Sequence, residues 1–356
     1  MADSLTMPRR CYWELTRRCP GACVFCRNGG ATDMAELSLA ESLQVADELV
    51  RLGIRRVVLT GGEPVRYDGW EKIAARLTVN GVRVWLFTSG MGITDELIDT
   101  ARGAGISRVL IPLDGDEAIH CRLRPAASDR GMGSHAAAVS AMKKFADAGM
   151  PVIAVTAVNH INARVLNDIY ATLLNLGVRD WQVHLSQMTR RASEHRLELM
   201  CTHDDMEAIV DMLKRVAVEN RIHAPLHCTI GYMVPEEALL RSPNASGQPF
   251  FDGCPAGIRT FGITPSGKVK GCTAMEDEFA TASLREESLE TILKNDAHFA
   301  VTRMDESHRH LEGPCATCSF GGVCRGGCPA VAYGLTGAVG ANPACLHILR
   351  RLPANR

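Results

Sequence analysis

Fourteen cysteines are the residues in this sequence best equipped to do chemistry, and their spacing is not uniform. Cys19, Cys23 and Cys26 form a C-x3-C-x2-C run inside RRCPGACVFCRNGG. Seven others, Cys254, Cys272, Cys315, Cys318, Cys324, Cys328 and Cys345, follow the order C-x12-G-x4-C, then C-x2-C-x5-C-x3-C, then a last cysteine. Grouped thiolates are soft ligands that suit iron–sulfur clusters or zinc. Structural zinc takes four protein ligands in a tetrahedron, and the first group supplies three. A four-iron cluster held by three cysteines instead keeps one iron open to a substrate or cofactor. Pro20 and Gly21 let the backbone turn closely around such a group. Disulfides are the weaker account, because the chain is long and carries no export signal.

Other motifs fall at the ends of predicted strands. Thr60-Gly61-Gly62-Glu63-Pro64 is a glycine-rich turn that brings backbone groups within reach of a small zwitterion. Ser89 and Gly90 follow the third predicted strand. The stretch SRVLIPLDGDEAIHCRLRP carries Asp114, Gly115, His120, Cys121 and Arg124, and MTRRA carries Arg190 and Arg191. Glu14, Asp116, His184 and Cys228 are candidates for proton transfer by chain location alone. Cys11, Cys201 and Cys228 lie outside both cysteine patterns and read as ordinary buried thiols. Trp13, Trp70, Trp85 and Trp181 read as packing residues.

These motifs need a scaffold, and residues from about 11 to 186 supply a strand-then-helix rhythm. Short β-branched runs predict strands at Cys11–Thr16, Arg56–Thr60, Val82–Thr88, Arg108–Pro112, Val152–Ala157 and Trp181–Leu185. Ser38 with Glu41 has capping-box spacing before a helix that runs to Gly53. Ser134 and Asn162 open two more helical stretches, closed by Gly149 and Gly177, where glycine enters the left-handed region freely. Six such units imply a parallel sheet covered by helices, either an open doubly wound sheet or an incomplete (β/α) barrel. Either way, the chemistry belongs at the C-terminal ends of the strands. Thr202 with Asp205 predicts a further helix. Beyond Cys254 the pattern changes to glycines, cysteines, a hairpin-like FGITPSGKVKG and a helix within SLREESLETILKND, a region that metal clusters would cross-link.

Composition narrows the class. Lys+Arg number 39 against Asp+Glu 40, a net charge of -1, which disfavours a binder of nucleic-acid backbones. The arginines at 190, 191, 196, 350 and 351 read as a solvated face. No run of 18 apolar residues is present, so no segment reads as a membrane span, and the N-terminus lacks a signal-peptide core. These features predict a cytoplasmic globular protein.

The C-x3-C-x2-C loop, with Phe25 before its last cysteine, resembles the signature of the radical S-adenosylmethionine superfamily. Gly61-Gly62-Glu63 looks like that family's GGE motif. The seven later cysteines resemble the SPASM domain, which carries two auxiliary 4Fe–4S clusters. The resemblance implies an α/β fold, a partial (β/α)6 TIM-type barrel with a C-terminal cysteine-rich domain. It divides the chain into a barrel at 1–190, a bridging region at 191–253, the SPASM domain at 254–347 and a tail at 348–356. It further implies S-adenosyl-L-methionine as cofactor, on a 4Fe–4S cluster held by Cys19, Cys23 and Cys26. Backbone groups of Gly61, Gly62 and Glu63 would meet its amino group, and the backbone around Phe25 its adenine. Ser89 would face the cofactor, and Asp114 and Arg191 would meet its ribose hydroxyls and methionyl carboxylate. Cys254, Cys272 and Cys328 would hold the nearer auxiliary cluster, and Cys315, Cys318, Cys324 and Cys345 the farther one. Three ligands leave the nearer cluster with an open or unrecognised fourth site.

The function so implied is a radical oxidoreductase that generates a 5′-deoxyadenosyl radical and removes hydrogen from its substrate. The expected substrate is a ribosomally made peptide, cross-linked through a thioether or carbon–carbon bond or otherwise oxidised. The alternative is a small molecule, handled by a sugar- or aminoglycoside-type dehydrogenase, epimerase or decarboxylase. A flavodoxin- or ferredoxin-type reductant is expected as partner. Because the barrel starts near residue 11, a separate leader-recognition protein would present a peptide. Cys121 or Cys228 would be a hydrogen-atom donor only in an epimerase-like reaction.

Overall fold

The computed structural model describes residues 7–27, 35–127, 133–242, 247, 249–303 and 311–351. All six expected strands form, as β1 (Arg10–Thr16), β2 (Arg56–Gly61), β3 (Arg83–Phe87), β4 (Ile106–Pro112), β5 (Val152–Val158) and β6 (Asp180–Leu185). They pair in parallel and in sequence order from β1 to β6. A doubly wound sheet would reverse its order at a switch point; this one never does, which is the winding of a partial barrel. Between the strands run α1 (Leu39–Arg51), α2 (Trp70–Thr78), α3 (Asp95–Gly103), α4 (Glu117–Leu123), α5 (Ser134–Asp147) and α6 (Leu166–Asn175).

Helix α1 shows how sequence makes these elements. Ser38 and Glu41 form a reciprocal capping box, and Ser42, Val45, Ala46 and Leu49 bury one stripe against the sheet. The box at Thr202 and Asp205 likewise opens a helix at His203–Glu219. Asn162 departs from expectation. Its carboxamide oxygen accepts from the Asn159 amide (2.8 Å), and the helix starts four residues later, at Leu166. An asparagine that bonds the backbone locally offers the chain a turn in place of a helix start.

The C-terminal region does not stand apart from the barrel. Its hairpin, β7 (Thr260–Ile263) and β8 (Lys268–Lys270), joins the sheet because β7 pairs in parallel with β1. A two-residue strand, β9 (Ala282–Ser283), ends that edge. At the opposite edge the bridging region pairs with β6 through His223 and Leu226. Both sheet edges are therefore covered by later chain. The junction at β1 is held by charge. Asp277 accepts from Lys270 Nζ (3.1 Å) and Arg190 Nη2 (2.7 Å) and is paired with Arg17.

The arginines expected on a solvated face are largely engaged. Arg190 binds Glu276 and Asp277, Arg196 donates to the Leu335 carbonyl, and Arg350 bridges Glu207 and Glu236. Among the described residues, no helix is long and apolar enough to cross a membrane.

Candidate active site

The cluster loop leaves β1 and is fixed along its length by backbone contacts. Ala22 donates to the Pro125 carbonyl (2.7 Å), Val24 to Leu123 (3.0 Å), and Ala127 returns a bond to Pro20 (2.7 Å). From the other side the glycine turn closes on the same loop. The Gly62 amide donates to the Thr16 carbonyl (2.6 Å), and the Glu63 amide to that of Arg18 (2.8 Å). A β-carbon on Gly61 would lie 2.4 Å from the Thr16 oxygen, and one on Gly62 would lie 2.6 Å from the oxygens of Arg17 and Arg18. The glycines are thus needed for close backbone approach. The amides of Gly62 and Glu63 are thereby spent on the loop.

The three thiols face a common space. A methyl group placed on Gly21 would touch the sulfurs of Cys23 (3.6 Å) and Cys19 (3.7 Å), and Cys26 lines the same cavity. Burial pushes the Cys19 thiol up to about 12 and raises Cys23, where Arg124 opposes the rise. Crowded, buried thiols of this kind are stabilised as thiolates by metal. Among the described residues, no three Cys, His, Asp or Glu side chains are placed to hold a single metal ion.

Arg124 organises this corner. Its guanidinium lies over the Phe25 ring (4.9 Å to the centroid), reaches Cys23 Sγ (3.8 Å) and pairs with Asp114. Asp114 is fully buried, and its other oxygen accepts from the Ala157 amide (2.7 Å). Both carboxylate oxygens are therefore committed, and Asp114 is placed to position Arg124. Arg191 donates to the Cys23 carbonyl (3.1 Å), so it braces the loop from the bridging region. Glu63 is buried and accepts from the Ser89 amide (2.8 Å) and hydroxyl (2.6 Å), fixing Ser89 at the cavity wall.

The acid–base candidates separate clearly. His184 and His227 lie with ring centroids 4.2 Å apart, tilted by 43°, and line the cavity, and burial lowers both, His184 to about 4, which favours the neutral imidazoles. Glu14 is buried, with no hydrogen-bond partner for either oxygen among the described residues. Asp116 caps α4 through the Ile119 amide (2.9 Å), a structural duty. Cys121 accepts from the Ser134 hydroxyl (3.5 Å) and does not line the cavity. Trp85, expected to be packing, instead faces the cavity, with Arg56 over its ring (4.1 Å) and Arg108 at 5.6 Å.

One cavity of about 1320 Å³ runs from Cys19, Cys23 and Cys26 through the barrel to Cys254, Cys272 and Cys328. A separate pocket of about 20 Å³ is lined by Cys315, Cys318, Cys324 and Cys345. Asn342 and His347 also line it, each with a buried nitrogen, Nδ2 and Nε2 respectively, that has no partner among the described residues. Polar nitrogens left unpaired around four thiols fit the sulfides of an iron–sulfur cluster, which are hydrogen-bond acceptors. Of these ten cysteines six line the large cavity and four the small pocket, the four being the set that the family resemblance assigns to the farther auxiliary cluster.

The fold and these thiol sets define a class, that of iron–sulfur enzymes built on a partial barrel. Residues 13–173 match the radical SAM superfamily, and residues 254–319 match an iron–sulfur cluster-binding domain, SPASM. The chain belongs to the radical S-adenosylmethionine superfamily and carries a C-terminal SPASM auxiliary-cluster domain. It is 30% identical to the mycofactocin maturase MftC of Mycobacterium tuberculosis, over 94% of this chain and 82% of the relative. It is 26% identical to an AdoMet-dependent heme synthase of Oleidesulfovibrio alaskensis (99% and 91%) and 29% identical to a PqqA peptide cyclase of Rhodopseudomonas palustris (97% and 88%). In fold it is similar to Streptococcus suis SuiB bound to its precursor peptide SuiA. The TM-score is 0.73 at 14% identity, covering 96% of this chain and 76% of SuiB. The cofactors of the class are S-adenosylmethionine, its 4Fe–4S cluster and two auxiliary clusters.

Proposed function

We propose that the chain oxidises a ribosomally made peptide, closing a thioether or carbon–carbon cross-link or making a related two-hydrogen oxidation. When bound, the cluster and S-adenosylmethionine supply a 5′-deoxyadenosyl radical that takes hydrogen from the substrate. The protein's part is to hold the substrate C–H bond in place and exclude competing donors. Cys19, Cys23 and Cys26 would hold the reactive cluster, braced by Arg124 and Arg191. Gly61, Gly62, Ser89 and the Phe25 backbone would border the cofactor. Cys254, Cys272 and Cys328 would hold the nearer auxiliary cluster, and Cys315, Cys318, Cys324 and Cys345 the farther one. His184 lines the cavity as a neutral imidazole and can hydrogen-bond a substrate there.

The observation that carries this reading is the continuity of the large cavity from the first thiol set to the nearer auxiliary set. A cluster held by Cys254, Cys272 and Cys328 would supply an electron acceptor in the same cavity, which favours net oxidation. Kinship with a PqqA peptide cyclase along almost the whole chain supports a peptide. A second reading, a small carboxylate-bearing molecule, is favoured by the AdoMet-dependent heme synthase relatives and by Arg56 on the cavity wall. We place the protein in the cytoplasm, with a flavodoxin- or ferredoxin-type reductant and a separate protein presenting the leader.

Anaerobic turnover of deuterated candidate substrates, read by mass spectrometry, tests the proposal. The expected result is deuterium in 5′-deoxyadenosine and a peptide lighter by two hydrogens. Unchanged peptides alongside an oxidised small molecule would transfer the function to the second reading.

A further inference from the structure

We infer that Cys228, which lies outside the seven-cysteine pattern, is the fourth protein ligand of the nearer auxiliary cluster, joining Cys254, Cys272 and Cys328. The inference rests on the auxiliary-cluster assignment and is independent of the substrate. Of the four cysteines outside both patterns, Cys11, Cys121, Cys201 and Cys228, only Cys228 lines the cavity that holds those three thiols.

The geometry brings Cys228 to Cys328 directly. Cys228, Cys328, Cys272 and Tyr12 on β1 line the same cavity, and the Cys228 thiol acts directly on that of Cys328. One phenol ties the two backbones together. The Tyr232 hydroxyl donates to the Cys228 carbonyl (2.6 Å) and accepts from the Cys328 amide (3.2 Å). Tyr232 is fully buried and holds φ at +80°, a costly conformation for a tyrosine that persists only where its surroundings enforce it. The same residue's carbonyl accepts from the Cys345 thiol (3.9 Å), so it stands between the two auxiliary sets.

The segment bearing Cys228 is pinned from the barrel as well. Leu226 bridges to Val183 on β6, and the Thr229 hydroxyl accepts from the Leu185 amide (3.0 Å). Cys228 is therefore delivered by the end of β6, by an element that precedes the SPASM domain in sequence. Three thiolates leave one iron of a four-iron cluster without a protein ligand, and a fourth soft thiolate is the matching donor. On binding, Cys228 exchanges its thiol proton for iron and no electron moves. The nearer cluster then has no vacant iron, so substrate is held by cavity side chains and not by that metal.

The test uses the full chain, anaerobically reconstituted, with Cys19, Cys23 and Cys26 changed to alanine so that only auxiliary signals remain. Into this background go Cys228→Ala, Cys228→Ser and the control Cys201→Ala. Iron and sulfide content, electron paramagnetic resonance of the reduced protein, and the response to 2-mercaptoethanol are read for each. Cys228→Ala is expected to lose iron or shift the nearer cluster's signal, and added thiol is expected to perturb that signal only in this variant. Cys228→Ser, which conserves side-chain size and can ligate through oxygen, is expected to keep the iron and shift the signal, and it decides the question if alanine prevents folding. Cys201→Ala is expected to match the background. Unchanged iron and spectra in both Cys228 variants, or a thiol response already present with Cys228 intact, would overturn the inference.

Discussion

At Gly62 there is no room for a side chain. The position sits against two carbonyl oxygens of the cluster loop, and its amide is already bonded to a third. Gly62→Ala is therefore expected to destabilise the fold by about 1–3 kcal/mol through overpacking and to lower iron at the first cluster. Urea unfolding and iron analysis check both. Arg124 is the charged counterpart of that steric constraint. Arg124→Met would leave Asp114 buried and unpaired, at a cost on the order of 3–5 kcal/mol, while the barrel strands remain. His120 gives a pH-dependent consequence. Burial, then Arg124 and His135, lowers it to about 3, and the Asp114 amide donates to its Nδ1 (3.1 Å). Its neutral form is the one the fold prefers, so its contribution is complete above about 6.5 and is lost as pH falls toward 3. Each unit of that shift is worth ~1.4 kcal/mol. The urea midpoint should fall less steeply across that range in His120→Asn than in the parent chain.

Among elements, the pairing of β7 with β1 joins the cysteine-rich region to the barrel, and Asp277 is its electrostatic pin. Burial alone would raise this carboxyl, but Lys270 and Arg17 hold it well below the usual range. Its stabilisation is present above the ordinary carboxylate pKa and is lost as pH falls through the lowered value. Asp277→Asn would leave Lys270, Arg17 and Arg190 facing each other, and is expected to cost a few kcal/mol, roughly as for breaking a partly buried ion pair. Proteolysis should then release the C-terminal region first. The junction also marks where the sequence stops being legible. Strands β1–β6 and the capping boxes at Ser38 and Thr202 follow from local periodicity and side-chain chemistry, so they are readable residue by residue. The hairpin FGITPSGKVKG was readable as a hairpin, but nothing local in it says that its first strand will pair with one some 250 residues earlier. The same reason hid the positioning role of Asp114, whose partners Arg124 and Ala157 are chosen by folding. Cys228 carried no spacing signal either, because its neighbours Cys328 and Tyr232 come from other parts of the chain.

For the whole molecule, the barrel serves as a tube with thiol sets along it and arginines on its wall. Arg56 stacks on Trp85 and presents a guanidinium suited to carboxylates, while Arg108 is already paired with Asp180 (2.9 Å). Arg56→Ala should raise KM for a carboxylate-bearing substrate by roughly tenfold, about 1.4 kcal/mol, with kcat little changed. A change confined to kcat would place Arg56 outside substrate recognition.

All of this depends on three thiolates leaving one iron vacant for S-adenosylmethionine. The direct measurement is electron paramagnetic resonance of the anaerobically reconstituted, reduced chain before and after adding that cofactor. The spectrum is predicted to change when it is added, and the responsive component to vanish when Cys19, Cys23 and Cys26 are replaced by alanine. A spectrum indifferent to the cofactor, or zinc in place of iron at those three cysteines, would contradict the account.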